Sequence, residues 1–407
     1  MSDTIKQEGI NGQTVILGLQ HTFVMFGATV LVPIITGLDV GVALFAAGLG
    51  TLLFHVLTKF KVPVFLGSSF AFIPPVMAVA NNFNGDLAYA TGGILVAGLV
   101  YVVVSGIFTF ISSDILHKIL PPHVTGPIII LIGMSLAPVA IDGAGSNWTI
   151  AIITFAVGVF VKIGFERMGL KFLSLLPVLF ALIVGYIVAI IAGAVDFTTV
   201  NEAAWVGLPG FMFPKFAGGA LALVVPVALV TMVEHFGDVI AIGNVVKKDF
   251  LKDPGVNRTL LGDGLATSLS ALLGGPANTT YSENTGAVAL TGVYNPAVMR
   301  IAAVFAIVLS VIPKFTALIG TIPGSVIGGI SILLFGMISA IGIRNMVESQ
   351  VDMNSPQPLI IVAAMLVLGL GGAEFSLGQV SFSGLALSAI VGIVLNLLIN
   401  FKSFKRA

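Results

Sequence analysis

The sequence predicts an all-α polytopic membrane protein with fourteen transmembrane segments in two inverted seven-segment repeats. Three observations carry this reading. The composition is too apolar for a water-facing surface, apolar runs recur along the whole chain, and the two halves match at one fixed offset. Of 407 residues, 57% are hydrophobic and 9% charged, with a mean hydropathy of +1.10. An ordinary soluble domain is about 45–50% apolar and about 25% charged. This composition excludes an ordinary soluble enzyme, a nucleic-acid binder, a disordered chain and a disulfide scaffold. Lys and Arg number 18, as do Asp and Glu, so no global field draws an anionic partner. The chain has no cysteine and hence no disulfide or thiol chemistry. Its 48 Gly and 19 Pro suit membrane helices.

A helix needs about 20 apolar residues to span the hydrocarbon. The candidate segments are, in order, 14–36, 40–58, 63–80, 91–111, 122–141, 148–165, 172–194, 219–243, 258–274, 276–294, 297–313, 325–342, 357–371 and 381–400. Residues 1–13 form a polar tail without the basic start and apolar core of a signal peptide. The first repeat is 14–194, the connecting loop 195–218, the second repeat 219–400 and the second tail 401–407. Fourteen spans put both termini on one side of the membrane. Every Lys and Arg except Lys215 and Lys314 then falls on that side. Cytoplasmic loops are the ones enriched in Lys and Arg, so both termini are expected in the cytoplasm of a cell with this protein in its inner membrane.

The repeat rests on pairs separated by 214 positions. Gln20-His21 matches Glu234-His235, Gly48-Leu49-Gly50 matches Gly262-Asp263-Gly264, and Leu66–Phe70 matches Thr280–Asn284. With seven spans per repeat, the second copy inserts upside down. Inverted repeats are a common secondary-transporter architecture, with the site at the midplane between them.

Segments three and ten are interrupted. Residues 62–75 are bounded by prolines and rich in β-branched and aromatic residues, and residues 275–286 are polar between apolar spans. Each reads as a short extended piece followed by a half-helix. Irregular backbone at membrane depth is tolerated only inside protein or along a cavity. There its N–H and C=O groups, and the positive end of a half-helix, can hold a polar ligand.

Charged groups at membrane depth default to function. Four acidic residues fall inside segments: Glu234, Asp238, Asp263 and Glu283. Glu234 and Asp238 are four apart and share one helix face. Two carboxylates on one buried face suit a proton carrier. The plainer roles are capping a broken helix or pairing with a nearby His, and for Asp263, between two glycines, packing or a hinge. Phe70, Tyr281 and Phe335 offer ring faces to a small planar ligand. His21, beside Gln20, reads first as a bridge between helices and second as a proton carrier. No metal-ligand constellation, phosphate loop or cofactor motif is present.

These residues resemble the nucleobase–ascorbate transporter (nucleobase:cation symporter) family, most closely its bacterial uracil permeases. The likeness runs from about residue 14 to 400. It lies in Gln20-His21 with Met25–Pro33, Leu66–Phe72, Glu234-His235, Val246–Asp249 with Asp253-Pro254-Gly255, and Asn278–Gly286. It implies a core domain of segments 1–4 and 8–11 and a gate domain of segments 5–7 and 12–14. It also implies elevator-like alternation, proton-coupled nucleobase uptake and a homodimer through the gate, set in membrane lipid. By the same resemblance Glu234 holds a ring N–H of the base, and Glu283 with the backbone at Tyr281 and Ser282 holds its other edge. Ser69 and Phe70 lie on the opposing broken segment, Tyr281 helps close the cavity, and Phe335 stands where uracil permeases commonly have Tyr. Glu234 and Asp238 carry the proton, with Gln20, His21, Asp263 and Asn284 in support. Glu283 before Asn284 follows the uracil branch. Asp238 departs from it, since uracil permeases tend to have His there and purine members often Asp. Uracil is the first reading and a purine such as xanthine or uric acid the second. An uncoupled facilitator or channel on the same fold is disfavoured by three carboxylates at the site, and an intramembrane enzyme by the lack of a nucleophile–base pair or metal site.

Overall fold

The computed structural model describes residues 10–110, 115, 118–377, 380–382 and 384–400. Within these, the side chains of residues 282–283, 376–377 and 380–381 are not described, and most of the two predicted tails lies outside the described residues. The first half contains α1 (Gly12–Thr36), α2 (Val40–Leu57), strand β1 (Leu66–Ser68), a 3-10 turn Phe70–Phe72 leading into α3 (Ile73–Asn82), α4 (Ala88–Phe108), α5 (Pro122–Ser135), α6 (Ala137–Gly145), α7 (Trp148–Arg167) and α8 (Pro177–Ile191). The connector carries α9 (Thr198–Glu202). The second half contains α10 (Gly218–Val224), α11 (Val227–Val246), α12 (Val256–Leu272), β2 (Asn278–Thr280), α13 (Ser282–Thr291), α14 (Ala297–Ser310), α15 (Pro313–Gly320), α16 (Gly324–Glu348), α17 (Pro356–Leu370), the hairpin β3 (Phe375–Leu377) and β4 (Val380–Phe382), and α18 (Gly384–Ile399).

The protein is a nearly all-helical, multi-pass membrane protein. Among the described residues seven helices are long and apolar enough to cross a bilayer, or eight if α14 and α15, bent by 85°, make one span. That measure does not reach fourteen, although every predicted segment falls on a helix or a strand–helix unit. The reason is physical. Phe70–Asn82, α8, α17 and α18 are apolar but short, and α12 carries Arg258, Asp263 and several hydroxyls.

Local chemistry sets the helix ends. Asn11 and Thr14 form a reciprocal capping box at the start of α1, and Gly37 closes α1 at φ 80°. The Asp39 carboxylate accepts the Val42 N–H at 2.7 Å and starts α2. Helix packing falls into two groups. In one, α12 packs on α4 and α2, and α14 packs on α2 and α1. In the other, α16 packs on α5, α6, α7 and α8, while α17 packs on α18 and α5. Small residues make the close approaches that helix association in lipid requires. A Cβ at Gly264 would stand 2.3 Å from the Cβ of Tyr101, and one at Gly98 equally close to the hydroxyl of Ser268.

The two broken segments meet within the first group. β1 and β2 pair antiparallel, with Leu66 opposite Thr280, Gly67 opposite Thr279 and Ser68 opposite Asn278. The ladder continues through Ser69 N–H to Ala277 C=O (2.8 Å) and Tyr281 N–H to Phe65 C=O (3.2 Å). So short a sheet leaves backbone groups over, and burial makes them costly. One threonine serves each strand. Thr51 Oγ1 accepts from the Leu66 N–H (2.9 Å) and donates to its C=O (3.3 Å). Thr267 Oγ1 accepts from the Asn278 N–H (3.3 Å) and donates to its C=O (3.0 Å). The device occurs once per half. The helices that follow begin at Phe70 and Ser282, so these two residues correspond, two positions away from the register of the sequence match.

Candidate functional site

The site is built on α11 and the crossed strands. The four-residue spacing places Glu234 and Asp238 on one face of α11. Asp238 is buried, and its Oδ2 accepts a hydrogen bond from Thr280 Oγ1 at 2.7 Å. Thr280 is the last residue of β2, so a carboxylate of one helix is tied to the end of a broken segment. Glu234, one turn earlier, is half-buried.

His235 turns the other way. Its Nδ1 lies 2.9 Å from Asp263 Oδ2, and both side chains are fully buried. The contact has the distance of an ion pair without the alignment of a directed hydrogen bond. Asp263 is therefore the partner of His235 between α11 and α12. Tyr101 of α4 completes this layer by donating to Thr231 Oγ1.

On the crossed strands, Tyr281 donates its hydroxyl to Ser68 C=O at 3.0 Å. Its ring lies against Gly67, where a Cβ would stand 2.3 Å from Cζ. Any side chain at residue 67 displaces that ring. Ser69 is buried, and its hydroxyl finds no hydrogen-bond partner among the described residues. Phe70 meets Phe335 of α16 edge-to-face, with ring centroids 5.8 Å apart at 74°. The pair joins the two helix groups and is worth about 0.5–1.5 kcal/mol beyond its burial. Ser282 and Glu283 open α13, where unpaired helix N–H groups gather; their side chains lie outside the described residues.

The supporting residues are packed rather than gathered at the carboxylates. Asn284 is fully buried with Nδ2 3.9 Å from Met299 Sδ. His21 is buried in α1, its ring nitrogens without a hydrogen-bond partner among the described residues. Gln20 is half-buried on the same helix.

A cavity of about 890 Å³ separates the two groups. Phe23 and Ala28 of α1, Asp238 and Asn244 of α11 and Thr285 of α13 line one wall; Thr125 of α5, Pro177 of α8 and Leu334, Met337 and Arg344 of α16 line the other. Lys162, Arg344 and Glu348 place its mouth at the α16 C-terminal end. Of the residues singled out from sequence, Asp238 lines this cavity. Phe335 sits beside the lining residues but is turned onto Phe70. The sequence reading missed Thr280, although it lies in the polar run 278–286. It also missed Thr51 and Thr267, which carry no local signal, since a threonine in a helix is unremarkable until its strand partner is known.

A family model described as "Permease family" matches residues 12–377. The chain is 44% identical over 404 residues to the "Uracil permease" of Bacillus caldolyticus, covering 95% of this chain and 92% of that one. It is 43% identical over 388 residues to the "Probable uracil permease" of Pasteurella multocida (strain Pm70), covering 94% and 93%. In fold it is similar to the murine Solute Carrier 26 family member A9 anion transporter in its inward-facing state. That match has a TM-score of 0.70 at 11% identity and covers 98% of this chain and 70% of that one. With crossed half-segments, a carboxylate tied to one of them, and these matches over nearly its whole length, the chain belongs to the nucleobase–ascorbate transporter family.

Proposed function

We propose that the protein is a secondary active transporter, not an enzyme, that takes up uracil together with a proton. One observation carries the reading: Asp238 lines the cavity between the two helix groups and is bonded to Thr280 at the end of a broken segment. A proton on Asp238 changes what that carboxylate can accept, and so bears on the strand ends where a base would bind. The relatives named uracil permeases support the substrate.

In this reading the first helix group is the core and the second the gate, making fourteen spans in two inverted repeats. The base sits between the half-segments, with Glu234 and Glu283 accepting its ring N–H groups and the backbone near Tyr281 and Ser282 donating to its carbonyls. Phe70 and Phe335 part to admit it. Loading a proton onto Glu234 or Asp238 removes a buried charge, and the core then slides past the gate. The cavity mouth at the Lys- and Arg-rich end corresponds to an inward-open state. The protein works as a homodimer through the gate in the inner membrane, with both termini cytoplasmic and the proton gradient in place of any cofactor. A purine proton symporter, for xanthine or uric acid, is the second reading, favoured by Asp238 itself.

The test is uptake of radiolabelled uracil into proteoliposomes under an inward proton gradient, with xanthine, uric acid and adenine as competitors. Accumulation abolished by an uncoupler and competed by pyrimidines alone is expected. Competition by purines without uracil accumulation would establish the second reading. Concentrative, pH-dependent uptake by Glu234→Gln at the wild-type rate would sink the carboxylate mechanism.

A further inference from the structure

The connector between the two halves has the wrong surface for a loop in water. Connecting segments that run over a surface are ordinarily polar. Here Trp205, Val206, Leu208, Phe213 and Phe216 project outward, with Trp205 72% and Phe213 80% exposed. They are held there. Gly207 N–H donates to Val311 C=O (3.2 Å), Met212 N–H to Leu273 C=O (3.1 Å) and Lys215 N–H to Ala88 C=O (2.8 Å). Lys314 N–H donates to Ala204 C=O (3.0 Å), and the Phe211 ring packs on Phe45 at 5.4 Å. The backbone is pinned while the bulky side chains face away from the protein.

An exposed apolar patch of this kind marks an interaction surface. The patch lies at one end of an interface the protein must have. Its anchor Ala88 is the first residue of α4, whose outward Leu99, Val103 and Ile107 are exposed along a membrane-crossing helix. The two cations beside it hold their charged heads over aromatic rings, as a cation–π pair does. Lys314 Nζ lies 5.1 Å from the Trp205 ring centroid; Lys215 Nζ lies 5.7 Å from that of Tyr89 and donates to Asp86 Oδ2 at 2.7 Å. Trp and aromatic side chains with flanking Lys are the composition of a membrane–water boundary.

We propose that residues 203–217 form an interfacial strap, with the five apolar side chains inserted at the headgroup–acyl boundary of the leaflet opposite the cavity mouth. Trp205 and Phe213 are its anchors. The backbone pins lie on or beside α4, α12, α14 and α15, and the Phe211 ring lies on α2, so the strap fastens the first helix group to that leaflet.

The chain has two tryptophans and no cysteine, which makes the test direct. Trp148→Phe leaves Trp205 as sole reporter in full-length protein in phosphatidylcholine vesicles. Lipids brominated high on the acyl chain should quench its emission about twofold, more than lipids brominated near the chain end, and aqueous iodide should quench it little. Quenching by iodide without quenching by brominated lipid overturns the proposal in favour of a water-facing loop. Protection from both overturns it in favour of cover by protein, such as a second copy. If Trp148→Phe fails to fold, a nitroxide on Phe213→Cys answers the same question. Collisions with oxygen should exceed those with a water-soluble nickel chelate, and the reverse order refutes the strap. Neither readout depends on transport, so failure here leaves the proposed function standing.

Discussion

Thr51→Val and Thr267→Val test whether the crossed strands are held as described. Each substitution keeps the shape of the side chain and removes one hydroxyl that serves two buried backbone groups. At Thr51 these are the Leu66 N–H at 2.9 Å and C=O at 3.3 Å; at Thr267 they are the Asn278 N–H at 3.3 Å and C=O at 3.0 Å. Both threonines and both strands are buried, so water does not replace the lost partners. A buried polar group left unsatisfied costs about 1–3 kcal/mol, and the longer bond of each pair contributes the lower end, giving about 2–4 kcal/mol per substitution. Thr→Ser keeps the hydroxyl and removes one methyl, a loss of about 1 kcal/mol. Because the device recurs in each half, the two Val variants should lose similar amounts. The assay is reversible unfolding in mixed micelles, run beside uracil binding. Val variants as stable as the Ser variants would refute the argument, because the hydroxyls would then contribute nothing the methyl groups do not.

Other outcomes follow from the same geometry. Gly67→Ala places a methyl 2.3 Å from Tyr281 Cζ, so it should cost about 2–4 kcal/mol in overpacking and the lost Ser68 bond; Tyr281→Phe alone should cost about 1 kcal/mol in the same unfolding assay. Thr280→Val removes a hydrogen bond to the Asp238 carboxylate, worth about 1.5–3 kcal/mol. The uptake rate should fall tenfold or more and its pH profile should move, while Thr280→Ser should keep both. The hydrogen bond from Lys215, then that from the Ala88 N–H, holds the Asp86 carboxyl below its ordinary range. A lowered carboxyl contributes stability above its ordinary range and loses it as pH falls through the lowered value. Hydrogen-exchange protection near Lys215, taken relative to the intrinsic rate at each pH, should therefore hold at neutral pH and fall only in acid, whereas Asp86→Asn should lose protection at neutral pH.

The broad class was legible in the sequence because it depends on solvent alone: a chain with 9% charge has to face lipid. The two interrupted segments were legible because prolines, glycines and a polar run cannot continue a membrane helix, and the spacing of Glu234 and Asp238 fixed their common face. What pairs with what was not legible. Thr51 and Thr267 look like any helical threonine until the strands they serve are placed beside them. His235 and Asp263 lie on different helices, and only packing decides that they face each other instead of the cavity. Phe70 and Phe335 come from different helix groups, so their contact depends on the relative position of those groups. The span count fell short because α8, α17 and α18 are apolar but short, and α12 carries buried polar groups such as Asp263 that packing against neighbours allows. At the broken segments the correspondence moved by two because a few residue matches constrain an offset weakly, whereas the strand ends and helix starts are set by hydrogen bonds. The sequence by itself determined which residues could not rest in ordinary membrane helices; tertiary structure decided their partners, because hydrogen bonds and ring contacts depend on distances between segments far apart in the chain.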